Sequence, residues 1–319
     1  MILNKFIEKL PGARENVLLK DHTTYKIGGP AKYFFVAKNK ESLLNALKIS
    51  KEFKLPVFIL GGGSNLLISD KGFNGLVIKI NIHNIEFIKT KAIVGSGANL
   101  TKLAYLSAEN SLSGLEWAAG IPGTIGGAVY GHAQAFGTKI SSSVESVEAI
   151  DLKTLKLKNF SKKQCQFSLK KSIFKKNKNL VIISAILEFK KDKEKNIKNK
   201  IKEFLTYRKT RHPIDFPSAG STFVNPEIKI NDKKLLDKFP ELREYNKSGT
   251  MPAGYLIAKC GLIGRKCGNA QISGKHANFI INLGGAKARD VLTLMNLAKT
   301  KVKKTFGVDL DTEVQFVEF

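Results

Sequence analysis

The chain has 319 residues and 35.2 kDa, with 53 Lys+Arg against 27 Asp+Glu and a formal charge of +26. Its 43% apolar content is enough to bury a core, which excludes wholesale disorder, and its length suggests about two domains. A pI of about 9.8 taken alone points to nucleic acid or an anionic membrane, and more narrowly to polyanionic small molecules.

The charge is unevenly spread, with 19 Lys+Arg against 5 Asp+Glu over residues 151–210. Most of these are Lys, and few aromatics are interleaved as stacking platforms, so a solvated surface is favoured over a nucleic-acid site. Cys165, Cys260 and Cys267 form no Cys-x-x-Cys pair, as expected of free thiols in a reducing cytoplasm. The first ten residues lack a signal-peptide pattern, and no uncharged apolar run approaches about 18 residues, so no membrane insertion is expected. The five histidines are scattered, with no metal-ligand spacing.

In chain order, Tyr33–Ala37 reads as a buried strand, and Leu43, Leu44 and Leu47 recur at helical spacing. Val57–Leu60 is a second apolar strand that runs into Gly61, Gly62, Gly63, Ser64 and Asn65. That is a glycine-rich loop at a strand's carboxyl end, where α/β sheets hold ligands. Leu76–Ile80 and Ala92–Val94 follow as strands, and Asn99 is a candidate N-cap for a helix from Leu100 to about Asn110. A second glycine-rich segment runs from Gly120 to Gly131, and Gly120–Gly127 within it reads as a second loop. Short strands are expected near Ser146–Leu152 and Leu180–Phe189, then a basic helix carrying Ile197, Ile201, Phe204 and Leu205 and ending near Tyr207. The last third predicts strands at Ala270–Ser273 and Phe279–Asn282, and a helix from Asp290 that stops at Gly307.

Two glycine-rich loops on one chain suit a diphosphate, because glycine admits close backbone approach and successive N–H groups form an anion nest. The pattern is neither Gly-x-Gly-x-x-Gly nor a P-loop. Ser221, after Gly220 and four residues before Asn225, is either part of a turn or a presented hydroxyl. Arg208, Arg211 and His212 just upstream suit either a solvated face or a grip on anionic oxygens.

Three segments in order carry a resemblance: Thr23–Ala31, Leu60–Leu67 and Gly120–Ala128, continued through Pro217–Pro226, Gly268–Asn282 and Leu310–Val314. Together they resemble the UDP-N-acetylenolpyruvoylglucosamine reductases, in the shorter, type II-like form. The resemblance implies an α+β protein with a two-lobed FAD-binding region of the vanillyl-alcohol-oxidase (PCMH) type, followed by a smaller α+β substrate domain. The implied divisions are 1–82 and 83–206 for the FAD-binding subdomains, 207–308 for substrate, and 309–319 for a tail returning to the flavin. NADPH would reduce FAD, and hydride would then pass to the enolpyruvyl methylene carbon of a UDP-sugar.

The same resemblance assigns the FAD pyrophosphate to Gly61, Gly62, Gly63, Ser64 and Asn65 with Gly120, Pro122, Gly123, Thr124, Gly126 and Gly127. Ser221 matches the proton donor, and Glu313 the carboxyl group beside the reacting centre. Lys170 stands where the family usually has the Arg that clamps the substrate carboxylate, and Leu169 where Tyr is usual. Lys keeps the charge but loses the bidentate fork. His132-Ala133-Gln134-Ala135 departs from the usual Asn-x-Gly-Ala. Arg208, Arg211 and Asn225 are candidates for the UDP diphosphate and sugar. Two other readings are a related FAD oxidoreductase with another acceptor and a basic nucleic-acid-binding protein.

Overall fold

The computed structural model describes residues 2–318, which gather into two compact units. The first holds the chain up to Val17, then Pro30–Gly63 and Phe73–Arg208; the second holds Leu18–Gly29, Ser64–Gly72 and the chain from Lys209 onward.

In the first unit, Phe73–Ile80 lies between Pro30–Ala37 and Val57–Leu60, parallel to both, with Val77 opposite Phe34 and Phe58. Parallel strands need a helical crossover, which Lys40–Glu52 supplies between Pro30–Ala37 and Val57–Leu60. The helix begins at Asn39, whose carboxamide accepts from Ser42 N at 2.8 Å while Ser42 Oγ accepts from Asn39 N at 3.2 Å. It buries Leu43, Ala46 and Leu47. A second, antiparallel sheet runs in the order Leu157–Ser161, Val144–Asp151, Leu180–Glu188, Lys91–Gly95, Ile85–Ile88.

Leu180–Glu188 is apolar on both faces because each face meets a different core. Leu180 and Ile182 join Trp117 and Phe174 in one core, while Val181 and Ile183 join Leu43, Leu76 and Ile78 in the other. The pairing skips Ile183 between Ser184 opposite Glu148 and Ile182 opposite Ala149. That bulge reverses the alternation, so Ala185 and Leu187 return to the Trp117 core. The expected cap at Asn99 accepts from Lys102 N at 2.8 Å and starts the Leu100–Glu109 helix.

Two expectations change here. The expected Gly120–Gly127 loop ends earlier, since Ile125–Gly131 is helical behind an N-cap at Thr124. Tertiary bonds overcome the poor helix propensity of glycine at that point: Ile125 N donates to Ala98 O at 2.9 Å and Gly126 N to Ser96 O at 2.8 Å. The basic helix is Glu194–Arg211, longer than expected, and it stops just before Pro213.

In the second unit, Ala270–Ile272 pairs antiparallel with Lys266–Cys267 and Ile280–Asn282. The Ala288–Phe306 helix buries Val291, Leu294, Met295, Ala298 and Val302 in the core that contains this sheet. Gly307 ends the helix at φ 71°, where its N–H donates to Lys303 O at 2.9 Å. Leu66–Ile68 pairs in parallel with Gln315–Val317. Asp70 takes the Ala288 N–H on its carboxylate at 3.0 and 3.1 Å, a tie from this segment to the start of the long helix. Asp70→Ala is expected to lower stability by about 1 kcal/mol, the usual cost of losing an N-terminal cap. A urea midpoint equal to that of the parent chain would contradict this.

Candidate functional site

The first unit brings the two glycine-rich segments into contact. Beyond Val57–Leu60 the backbone at Gly62 runs so close to Gly123 that an added Cβ would lie 2.7 Å from Gly123 Cα. At Gly61 it would lie 2.9 Å from Thr124 Oγ1. Only glycine fits where two backbones meet this closely.

Several N–H groups of this region are already engaged. Gly120 N donates to Thr101 Oγ1 at 3.0 Å, Gly126 N to Ser96 O, and Gly127 N to Thr124 Oγ1 at 3.3 Å. Among the described residues, the N–H groups of Gly61, Gly62, Gly123 and Thr124 donate to no backbone carbonyl outside regular strands and helices. Four such amides around one close approach are of the kind that can cradle a phosphate oxygen. Pro122, which has no N–H, stiffens the approach to Gly123.

Arg208 lies at the far side of the second loop and is buried, not part of a solvated face. Its Nε donates to Ala119 O at 3.0 Å and its Nη2 to Trp117 O at 2.9 Å. Its guanidinium also sits over the Phe136 ring at 5.1 Å. Arg208 therefore fixes the residues leading into Gly120, a role the motif pattern did not signal.

Lys170 sits in a tight turn closed by Lys171 N donating to Ser168 O at 3.0 Å and Ser168 N to Lys171 O at 3.1 Å. Its φ of 53° is left-handed, a strained conformation for Lys. Lys175 Nζ donates to the Lys170 carbonyl at 3.0 Å.

Ser64 and Asn65 belong to the second unit. Asn65 Nδ2 donates to Glu313 O at 3.1 Å, and Gln315 N donates to Asn65 O at 3.0 Å. The Glu313 backbone is also tied to the Ser221 segment: Glu313 N donates to Thr222 O at 2.9 Å and Val224 N to Asp311 O at 2.9 Å. The structure thus ties together the segments that hold Asn65, Ser221 and Glu313, through Thr222 on the Ser221 side. On the other side, Asn278 grips the same segment with both ends of its carboxamide. Its Oδ1 accepts from Phe223 N at 2.9 Å, its Nδ2 donates to Phe223 O at 2.8 Å, and its carbonyl accepts from Thr222 N at 2.7 Å. Asn278 is 3% exposed, so these bonds replace water completely. Nothing in the sequence singled it out, because its partners lie 55 residues away.

Asn225 Oδ1 accepts from Ala253 N at 3.0 Å, at the start of the Ala253–Lys259 helix. Arg211 is exposed at the end of its helix. His276 Nδ1 accepts from Asn278 N at 3.2 Å, and its ring meets the edges of His212 at 5.5 Å and Phe279 at 5.0 Å.

Burial holds His276 below its ordinary pKa, against the opposing pull of a backbone hydrogen bond. The unfolded chain then takes up the proton first. Stability is complete above about pH 6.5 and falls as the pH drops from there to the depressed folded value. The urea midpoint is expected to drop between pH 7.5 and 5.5, and His276→Gln should shrink that drop. An equal drop in both proteins would remove His276 as its source.

Residues 31–155 match an FAD binding domain family, and residues 212–317 match the UDP-N-acetylenolpyruvoylglucosamine reductase C-terminal domain. The UDP-N-acetylenolpyruvoylglucosamine reductase of Clostridium tetani is 37% identical over 318 residues, covering 99% of this chain and 96% of that protein. That of Anoxybacillus flavithermus is 37% identical over 306 residues, covering 95% and 94%. The crystal structure of the corresponding reductase from Thermus caldophilus is similar with a TM-score of 0.75 and 30% identity, covering 96% of this chain and 99% of that one. The relationship spans both units and every motif, which sets aside the nucleic-acid reading and that of another acceptor. The chain belongs to the UDP-N-acetylenolpyruvoylglucosamine reductase family, the FAD-dependent UDP-N-acetylmuramate dehydrogenases of peptidoglycan precursor synthesis.

Proposed function

We propose that the chain uses NADPH to convert UDP-N-acetylglucosamine enolpyruvate to UDP-N-acetylmuramate in the cytoplasm, with the roles of individual residues as follows. A bound FAD would supply the hydride carrier between NADPH and the enolpyruvyl methylene carbon. The single observation that carries the FAD assignment is the approach of Gly62 to Gly123, with unengaged amides on both sides of the contact.

Gly61, Gly62, Gly123 and Thr124 would hold the cofactor pyrophosphate through backbone N–H groups. Gly63, Ser64, Asn65, Gly120, Pro122, Gly126 and Gly127 would shape the two segments around it. Along the chain, 1–82 and 83–206 would serve FAD, 207–308 the substrate, and 309–319 the flavin site. Of the groups assigned to the UDP diphosphate and sugar, Arg211 supplies an exposed cation, and Asn225 keeps its Nδ2 donors while Oδ1 caps a helix. Arg208 acts mainly by positioning the Gly120 segment, since two of its donors hold Trp117 and Ala119.

Hydride addition to the methylene leaves an enolate-like carboxylate, so negative charge grows on the carboxyl oxygens. Lys170 would stabilise that charge, with a single ammonium where an Arg fork would give two parallel bonds. Ser221 would then pass its hydroxyl proton to the neighbouring carbon. A serine hydroxyl is a feeble acid, but a carbanion is basic enough to take its proton. Its half-buried place beside a glycine at φ 77° presents the hydroxyl, and Asn278 fixes the next two residues. Glu313 follows Thr312, which bridges Phe223, and its carboxyl group would stand beside the reacting centre.

Ser221→Ala is expected to keep its flavin and be bleached by NADPH at the parent rate. Recovery of the yellow colour on anaerobic addition of the enolpyruvyl nucleotide should slow by about 10²–10⁴-fold. Unchanged recovery removes Ser221 as the proton donor. Gly62→Ala is expected to yield colourless protein, because the new methyl must displace the Gly123 backbone. Full flavin content in that variant would contradict the cradle.

A further inference from the structure

The Ile125–Gly131 helix begins at the cradle and ends at His132, a residue the reaction scheme above leaves unused. His132 has φ 48° and closes the helix in the left-handed conformation. Its side chain turns inward, and the residue is 3% exposed. Both ring nitrogens are engaged, Nδ1 with Ser168 O at 2.5 Å and Nε2 with Ser141 Oγ at 2.8 Å. A carbonyl oxygen only accepts, so Nδ1 carries the hydrogen and Nε2 accepts from the Ser141 hydroxyl. One neutral tautomer satisfies both partners. The ring also stacks on Phe167 at 4.9 Å and 29°.

Ser168 O is also the acceptor that closes the turn holding Lys170. The two lone pairs of that oxygen are thus taken by Lys171 N and by His132 Nδ1. A second tie joins the same helix and turn, because buried Ser172 donates from Oγ to Tyr130 O at 2.7 Å. The left-handed backbone at Lys170 is strained for that residue type, so it holds only where its surroundings determine it.

We propose that His132 is a positioning residue, which fixes the Ser168–Lys171 turn to the end of the cradle helix and so sets where Lys170 stands for the substrate carboxylate. This rests on the assignment of Lys170 made above. Burial lowers the pKa of the imidazole against the pull of the Ser168 carbonyl, and the positive charges of Lys139 and Lys170 act in the same direction as burial. A proton on Nε2 would remove the acceptor that Ser141 needs. An Asn at this position retains one donor and one acceptor, whereas Leu retains neither.

The test uses the holoenzyme and separates the two half-reactions. His132→Leu is expected to raise KM for the enolpyruvyl nucleotide about tenfold, with the rate of bleaching by NADPH unchanged. His132→Asn should restore KM to within about threefold of the parent. Where His132→Leu loses its flavin, Ser141→Ala removes only the Nε2 partner and is expected to raise the same KM about threefold. In a Lys170→Met background, His132→Leu should add nothing further, since it acts through Lys170. An additive loss there, or an unchanged KM in both His132→Leu and Ser141→Ala, overturns the proposal. An unchanged KM in Lys170→Met alone instead overturns the Lys170 assignment, and with it the role of His132.

Discussion

The contact between the backbones at Gly62 and Gly123 is the constraint on which the first unit is arranged. One strand must deliver Gly62 to that point, and a helix must begin immediately beyond Gly123 on the other side. Neither segment has freedom to shift, because an added Cβ at Gly62 already meets main chain at 2.7 Å. The parallel strands on one side and the Ser96–Ala98 carbonyls on the other act as fixed walls. Among the described residues, the amides left between them donate to no backbone carbonyl outside regular strands and helices, and these are the groups proposed for the phosphate.

Much of this was legible in the sequence, and the reason varies from element to element. Val57–Leu60 was found with its bounds because a short apolar run ends abruptly in glycine. The caps at Asn99 and Gly307 are local chemistry within one helical turn, so they too could be read directly. The Ile125–Gly131 helix was missed because its glycines argue against it, and the bonds that stabilise it come from residues about 30 positions earlier. Arg208 carried no signal of burial, since its carbonyl partners lie 89 and 91 residues away. The same holds for Asn278 and His132, where function depends on partners that only the fold supplies. The glycine motifs and the order of segments identified the family, but not which amides remain available.

The charge that dominates the composition takes a narrower meaning. Sixteen of the 18 Lys in 151–210 are exposed, five of them on the Glu194–Arg211 helix and most of the rest on strands, turns and loops. Exposed charges of this kind contribute little to stability and are screened by salt. The basic residues with a defined structural task are few. Lys170 is held in a strained turn, and Arg208 is buried against two carbonyls.

The parallel pairing of Leu66–Ile68 with Gln315–Val317 has a consequence for biosynthesis. Asn65 is bonded to Glu313, 248 residues later in the chain. During translation the segment after the first glycine loop therefore leaves the ribosome on the order of tens of seconds before its strand partner exists. The second unit closes only after Gln315–Val317 have been made, while the sheets of the first unit are complete from earlier sequence. The apolar run Leu66-Leu67-Ile68 is thus without its strand partner through most of synthesis.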